Sequence, residues 1–306
     1  MIPAARIEQR EHVHPWRELF EANGQIVMSR ADLLACGATA RELTAAVRYG
    51  YLVRSRRDHY CLADVSQDVV QAVRVGGRLG CIAALKSYGV FVYDASCIHV
   101  HLDRAATRLR SPQAGLHRLT LQNRSGAQLH WWPLGDTTAG DEYRVGLIDA
   151  LAQSIRCQHP WHAIASIDNA LFQGLIGEAD VAEIFGRVPQ RYLPLQESVD
   201  GRAEAGQETV LRMIAREAGL ECELQLWFAT VGRVDIVVEG CAILEADSRA
   251  HHNGWEAHVR DRGRDLEFAK LGYPSLRPAY QHTMHHADLV RDAMLGLVGR
   301  LEPIRT

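Results

Sequence analysis

The sequence predicts an α+β protein with more than one domain, on two observations. Its first 64 residues have the pattern of short helices followed by a β-hairpin, and its last third has the pattern of one helix, three strands, a helix, a strand and a helix. A length of 306 residues also exceeds what one small core organises. We therefore expect three domains, over residues 1–64, 65–195 and 196–306.

The composition is typical of a soluble globular protein, with 47% apolar and 23% charged residues. No apolar run has transmembrane length and no signal peptide is evident, so we expect a cytoplasmic protein without a membrane partner. The seven cysteines form no CxxC pair, which predicts reduced core residues. A net charge of −3 gives no general attraction to nucleic acid, so any DNA contact requires local basic patches. The oligomeric state stays open.

The N-terminal region has the pattern of a winged helix. A first helix is predicted over residues 15–22, and Ser29 starts a short second one. Thr39 and Glu42 have the spacing of a capping box, which begins a third helix that ends at Gly50. Residues 51–62 then alternate as a hairpin, the wing.

Basic residues are concentrated on the third helix and the wing. Between residues 30 and 62 there are six arginines and three acids. In a DNA-binding domain the helix would enter the major groove while the wing contacts phosphates. The alternative is a small helical domain that only docks on the rest of the chain. The expected DNA contacts are Arg41, Thr44, Arg48, Arg54, Arg56 and Arg57.

The middle region reads as a mixture of helices and strands. Helices are predicted over 69–75, 81–88, 145–155, 161–175 and 179–185, strands over 98–102, 119–122 and 129–132, and a linker over 188–207. Residues 76–80 are glycine-rich but lack the phosphate-binding P-loop pattern. His99 and His101 share a strand face and could ligate a metal. Since no partner motif lies nearby in sequence, we expect only a polar strand face there.

Carboxylates gather around a predicted hairpin in the last third of the chain. Glu239-Gly240 separates two β-branched runs, and alternation directs Asp235 away from the core that its neighbours enter. Glu245 and Asp247 share a face of the second strand. Three such charges would repel one another and raise each other's pKa, unless a cation lies between them. Oxygen ligands favour Mg²⁺ or Mn²⁺, whereas the alternative is that each carboxylate faces water separately.

The order αβββαβα is the layout of the PD-(D/E)xK nuclease core, a restriction-endonuclease-like domain. Over roughly residues 200–290 the chain resembles very-short-patch repair endonucleases. The matching segments are Ala205–Glu208, Arg233–Asp235, Glu245–Ser248, His251-His252 and Asp261–Asp265. The resemblance implies a hydrolase, a DNA endonuclease or nickase that requires Mg²⁺ or Mn²⁺.

The same resemblance implies roles for individual residues. Asp235, Glu245 and Asp247 would hold the metal ion, with Glu208 as a further ligand or water-orienting group. His251 or His252 would accept a proton. Arg260 and Arg264, four apart on the following helix, would contact phosphates, although an ordinary exposed charged helix has the same pattern.

Two positions depart from the nuclease pattern. Ser248 stands where a glycine usually follows the Glu-x-Asp motif, and Asp247 stands where many members of the superfamily have a catalytic lysine. Lys86 and Lys270 are the only lysines in the chain, and Lys270 lies on the helix after the site. Activation of water would therefore depend on the metal ion.

The N-terminal region resembles the abortive-infection (AbiEi-type) antitoxin family. The glycine usual at the wing tip is replaced by Asp58 or His59. Two functions stay open: a nuclease, in DNA repair, restriction or phage defence, and a non-catalytic antitoxin-type transcriptional regulator with a degenerate nuclease fold. The residues that carry the resemblance are Gly24, Leu33, Gly37, Val47, Gly50, Leu52 and Arg54.

Overall fold

The computed structural model describes residues 15–229, 231–246 and 254–299. The fold is mixed α+β, as the sequence predicts, and the chain divides into two compact units. Unit 1 comprises residues 1–84 and 96–146, and unit 2 comprises residues 85–95 and 147–306. The three-domain division stays a prediction. Within the described residues, no helix combines the length and apolar character needed to cross a bilayer.

The elements of unit 1 follow the chain from the N-terminal helices to a small mixed sheet. The last helix of the series, α5, starts in unit 1 and ends in unit 2. The bounds are α1 Pro15–Ala22, β1 Val27–Ser29, α2 Arg30–Ala35, α3 Ala40–Arg48, β2 Leu52–Arg56, β3 His59–Leu62, α4 Gln67–Val75, β4 Arg78–Leu79, α5 Cys81–Ser87, β5 Ile98–His101 and β6 Ala127–His130.

The remaining elements belong to unit 2. Their bounds are α6 Leu147–Cys157, α7 Pro160–Phe172, α8 Glu178–Gly186, a 3-10 helix Gln190–Ser198, α9 Gly206–Glu217, β7 Cys222–Phe228, β8 Gly232–Val238, β9 Ala242–Leu244, α10 Gly254–Lys270, β10 Ser275–Leu276, α11 Tyr280–His285 and α12 Ala287–Gly299.

Local signals account for the N-terminal elements. The predicted capping box is present, since the Thr39 hydroxyl accepts from the Glu42 amide while the Glu42 carboxylate accepts from the Thr39 amide. The wing turns at Asp58, which takes the left-handed φ of +63° that a glycine would adopt more easily. Strands β1, β3 and β2 form an antiparallel sheet in that order. The first three helices and this sheet enclose one core that includes Phe20, Leu33 and Leu43.

The second sheet of unit 1 has the order β4-β5-β6, with β5 and β6 parallel. The prediction of a strand over 119–122 is wrong, because the chain forms a turn there. The Thr120 amide donates to the Asn123 side chain, and the Asn123 amide donates to the Thr120 hydroxyl. The prediction that β5 has a solvent-exposed polar face is also wrong. His99 and His101 are 5% and 3% exposed, so both faces of the strand are buried.

Unit 2 is built around a four-stranded sheet of order β10-β9-β8-β7, in which β10 runs parallel to β9 and the other pairs are antiparallel. One face packs against α9, α11 and α12, through a core that includes Leu211, Ile236 and Met294. The other packs against α10 through Phe268. The predicted order αβββαβα is present in the described residues, with one added short helix, α11, because the strand predicted over 275–280 ends at Leu276.

The segment predicted as a linker, residues 188–207, is ordered and lies within unit 2. The Arg212 guanidinium, fully buried, donates to the Ser198 carbonyl at 2.8 Å and pairs with the Asp168 carboxylate at 2.7 Å. Asp168 also accepts from the Asp200 amide. Hydrogen bonds to this buried ion pair hold the segment against α7 and α9. The polar composition of the segment alone does not predict this attachment.

Candidate functional site

The hairpin of β8 and β9 positions the carboxylates that the sequence singles out. Its turn residues Glu239 and Gly240 have φ values of +50° and +63°, the pair of left-handed conformations found in type I′ hairpin turns. The turn sets the register Ile236–Leu244 between the strands. Asp235 therefore lies close to the C-terminal end of β9, where Glu245 follows.

The strands are irregular beside Asp235, and here the predicted alternation is wrong. Val234 packs on the α10 face of the sheet while Ile236 packs on the α9 face, although they are two residues apart. Across the pair, Leu224 and Leu226 of β7 reverse in the same way. Gln225, between them, has a φ of +58°, which breaks the pleat at the position opposite Asp235. Strained backbone of this kind in a non-glycine residue often marks a functional site.

Glu208 lies in the first turn of α9 and is 5% exposed. Its carboxylate accepts the backbone amides of Glu204 and Ala205, at 3.0 and 3.1 Å, and the side-chain amide of Gln225 at 3.0 Å. Burial, reinforced by the nearby charge of Asp235, raises the pKa of Glu208 to about 7, although the two backbone amides favour the ionised form. Glu208 can therefore exchange a proton near neutral pH.

Asp235 is half-buried, and its Oδ2 accepts the Ala246 amide at 2.8 Å. Its pKa is raised, mainly by burial and to a smaller degree by the charge of Glu245. The expected repulsion between Asp235 and Glu245 thus contributes to the raised pKa of Asp235, but the loss of hydration on burial has the larger effect.

Glu245 has a different environment, since each of its carboxylate oxygens pairs with an arginine. Arg264 of α10 contacts Oε1, and Arg277, just after β10, contacts Oε2. Arg264 also donates to the carbonyls of Val231 and Arg233, both at 2.9 Å. The guanidinium of Arg264 is thus engaged by groups within unit 2. The phosphate contact expected for it stays a prediction.

The other predicted residues of this site divide into two groups. Arg260 of α10 is exposed to solvent. Asp247, Ser248, His251 and His252 lie outside the described residues, so the expected third carboxylate and the histidine proton acceptor stay predictions.

The side chains around Asp235 include oxygen atoms of the type that a hard cation prefers. Neither Glu208 nor Asp235 has a salt-bridge partner among the described residues. The Oε1 atom of Gln225 is buried and accepts no hydrogen bond from them. Carboxylate and amide oxygens are the ligands that Mg²⁺ and Mn²⁺ prefer. In the described part of the chain, however, the oxygens of Glu208, Asp235 and Glu245 do not all lie within 4.8 Å of one another.

Unit 1 carries the residues predicted to contact DNA. Arg41, Thr44 and Arg48 of α3 are exposed, as are Arg54 and Arg57 of the wing. Arg56 differs, because its guanidinium donates to the carbonyls of Val75 and Arg108. Burial lowers its pKa. Arg56 thus fastens the wing to the rest of unit 1.

A pocket of about 610 Å³ adjoins the wing. Sequence analysis missed three of its arginines, because they approach the wing from α4 and from the loop after β5. A cavity with this many guanidinium groups and no acidic lining residue suits phosphate groups. The lining arginines are Arg54, Arg56, Arg57, Arg74, Arg108 and Arg110.

Unit 1 also contains a buried His/Cys cluster that could hold a metal ion. The ligand atoms of Cys81, His99 and His130 all lie within 4.8 Å of one another. Nitrogen and sulfur ligands are not typical of Mg²⁺ sites. In the sequence, His99 is the only one of these three residues that indicates a metal site, since Cys81 and His130 lie 18 and 31 residues away from it.

A search of protein-family models and a search of curated proteins each found no match to this chain.

Proposed function

We propose that this protein is a metal-dependent DNA endonuclease or nickase with a PD-(D/E)xK nuclease-like domain in unit 2 and a winged helix in unit 1. The observation that carries the proposal is a pair of neighbouring carboxylates, the buried Glu208 and the half-buried Asp235. They have raised pKa values and form no salt bridge in the described residues, within an αβββαβα arrangement. Burying such groups is unfavourable without a cation or a proton.

Asp235 and Glu208, with the Oε1 atom of Gln225, would hold Mg²⁺ or Mn²⁺, and the predicted ligands Glu245 and Asp247 would complete the site. When bound, such an ion activates water and neutralises charge on the scissile phosphate. Glu208 has a pKa of about 7 and can accept or return a proton at neutral pH. The predicted acceptors His251 and His252 are its alternatives for this role.

The substrate proposed for this site is DNA, held through unit 1. The exposed residues Arg41, Thr44 and Arg48 of α3 would read the groove, while the arginine-lined pocket beside the wing would hold backbone phosphates. The overall charge of −3 makes such local basic surface necessary for DNA binding.

Nicking of supercoiled plasmid DNA in the presence of Mg²⁺ or Mn²⁺ tests the proposal. We expect Asp235→Asn and Glu208→Gln each to reduce the nicking rate by more than about a hundredfold, because each removes a charged ligand or proton acceptor. Affinity for DNA should not change, since neither Asp235 nor Glu208 is a proposed DNA-binding residue.

Matched controls are available on the same elements. Glu217→Gln on α9 and Glu223→Gln on β7 remove exposed carboxylates and should leave the nicking rate at its original value. Wild-type protein that fails to nick DNA with either ion, or an Asp235→Asn variant as active as the wild type, would remove the case for a nuclease.

A second function, a non-catalytic DNA-binding regulator, is favoured by the pairing of Glu245 with Arg264 and Arg277. Two arginines already neutralise this carboxylate, as expected where a former metal site has become structural. Titration with Mg²⁺ and Mn²⁺ separates the two functions. A melting temperature that rises with either ion, and rises less in Asp235→Asn, supports the nuclease, whereas a melting temperature that ignores both ions supports the regulator.

A further inference from the structure

The buried cluster of Cys81, His99 and His130 brings together three segments of unit 1. Cys81 starts α5, His99 lies in β5, and His130 ends the parallel strand β6. The three side chains belong to residues that are 0%, 5% and 2% exposed. The Nδ1 atom of His99 lies 3.0 Å from Nε2 of His130. Two imidazole nitrogens thus face each other beside a thiol, with almost no access to water.

The second nitrogen of His99 is also accounted for. Its Nε2 lies 3.6 Å from the Sγ atom of Cys97. If Nδ1 is a metal ligand, Nε2 carries the proton and donates to this sulfur. A metal-bound histidine commonly donates its other N–H to a neighbouring acceptor, which holds the ring in the binding orientation. The His130 ring is held separately, by stacking on Trp132 at a centroid distance of 4.4 Å.

The backbone holds Cys81 in an unfavourable conformation beside the histidines. Its φ is +49°, in the left-handed region that is unfavourable for a non-glycine residue. The preceding residue, Gly80, donates its amide to the His99 carbonyl at 2.8 Å, so the start of α5 is fastened to β5. Strain of this kind persists where the surrounding structure and a function require it.

We propose that Cys81, His99 and His130 bind a zinc ion within unit 1. One thiolate and two imidazoles form a ligand set of the kind found in zinc sites, which bind four ligands tetrahedrally. Bonds of about 2.0–2.3 Å place tetrahedral ligand atoms about 3.3–3.8 Å apart, within reach of small side-chain movements here. The proposal does not rest on the proposed nuclease function, because it uses none of the residues of unit 2 argued above.

The test measures metal content and metal spectroscopy on the full chain, purified without chelators or a histidine tag. We expect about one equivalent of zinc by mass spectrometry. Replacing the zinc with Co²⁺ should produce d–d bands of tetrahedral geometry and a thiolate-to-cobalt charge-transfer band. Cys81→Ser should remove the charge-transfer contribution of its thiolate, and His130→Gln should weaken metal affinity by more than about tenfold.

Two exposed residues of unit 1 provide controls, since Cys36→Ser and His117→Gln should bind zinc as the wild type does. Replacing each remaining cysteine in turn identifies whether a thiolate supplies the fourth ligand. If a ligand variant does not fold, the wild type still decides the matter. A strong zinc chelator should lower its melting temperature, and added zinc should restore it. Wild-type protein that contains no zinc, and gives no tetrahedral Co²⁺ spectrum, would overturn the proposal.

Discussion

The buried carboxylate of Glu208 should make the stability of the protein depend on pH in the absence of Mg²⁺ and Mn²⁺. Its pKa is raised from 4.5 to about 7 in the folded protein, so the folded state binds the proton more tightly than the unfolded chain does. Stability contributed by the protonated form is therefore fully present below about pH 4.5 and is lost as pH rises through about 7. The shift corresponds to roughly 3 kcal/mol of folding stability.

Urea denaturation at pH 5, 6, 7 and 8 measures this effect when wild type is compared with Glu208→Gln. The glutamine does not titrate, so the variant should lack the Glu208 share of the stability lost between pH 5 and pH 8. Asp168, whose pKa burial raises to about 6, titrates in both proteins and cancels in the difference. The Glu217→Gln control should keep the wild-type dependence, because Glu217 is exposed.

The reasoning is refuted if wild type and Glu208→Gln lose stability in parallel as pH rises. That result would mean that Glu208 has an ordinary pKa because water hydrates its carboxylate, although the residue is buried in the structure. Added Mg²⁺ gives a second comparison. If the ion binds the carboxylate form, it should stabilise the wild type more at pH 8 than at pH 5.

Three further predictions concern other contacts. Asp168→Asn should reduce the free energy of unfolding by about 3–5 kcal/mol in urea denaturation, because it leaves the buried charge of Arg212 without its partner; an unchanged stability would contradict this. Gln225→Gly should be more stable than Gln225→Ala by about 1 kcal/mol, since only alanine keeps a Cβ at a φ of +58°; equal melting temperatures would argue against strain at this position. Arg57→Ala should reduce the salt dependence of DNA binding by about one phosphate contact without changing the melting temperature. Arg56→Ala should instead lower the melting temperature, because it removes hydrogen bonds to the carbonyls of Val75 and Arg108. The reverse pattern would contradict the roles assigned to the two arginines.

Features that depend on short stretches of sequence could be predicted. The capping box of Thr39 and Glu42 and the turn at Glu239-Gly240 each depend on adjacent residues, and the structure contains both. The order of elements around the four-stranded sheet follows from similar local patterns.

Features that depend on contacts between distant segments could not be predicted. Nothing local to Gln225 indicates its left-handed backbone, since this conformation depends on how β7 pairs with β8. The ion pair of Asp168 and Arg212 joins two helices 44 residues apart. For the same reason the sequence predicts only a polar strand face around His99, because Cys81 and His130 become its neighbours only when β4, β5 and β6 form a sheet.

The charges around Asp235 divide into two kinds, because Glu245 is paired with arginine whereas Glu208 and Asp235 form no salt bridge in the described residues. Arg264 and Arg277 neutralise Glu245, and Arg277 also pairs with Asp265 at 2.7 Å. No arginine or lysine in the described residues forms a salt bridge with Glu208 or Asp235, and the raised pKa of each carboxyl group favours binding of a proton or a cation. At low pH, bound protons neutralise the two carboxylates. Above the raised pKa values, a divalent ion is the more effective partner. In the proposed nuclease, the arginines would therefore orient Glu245, while Glu208 and Asp235 would hold the ion.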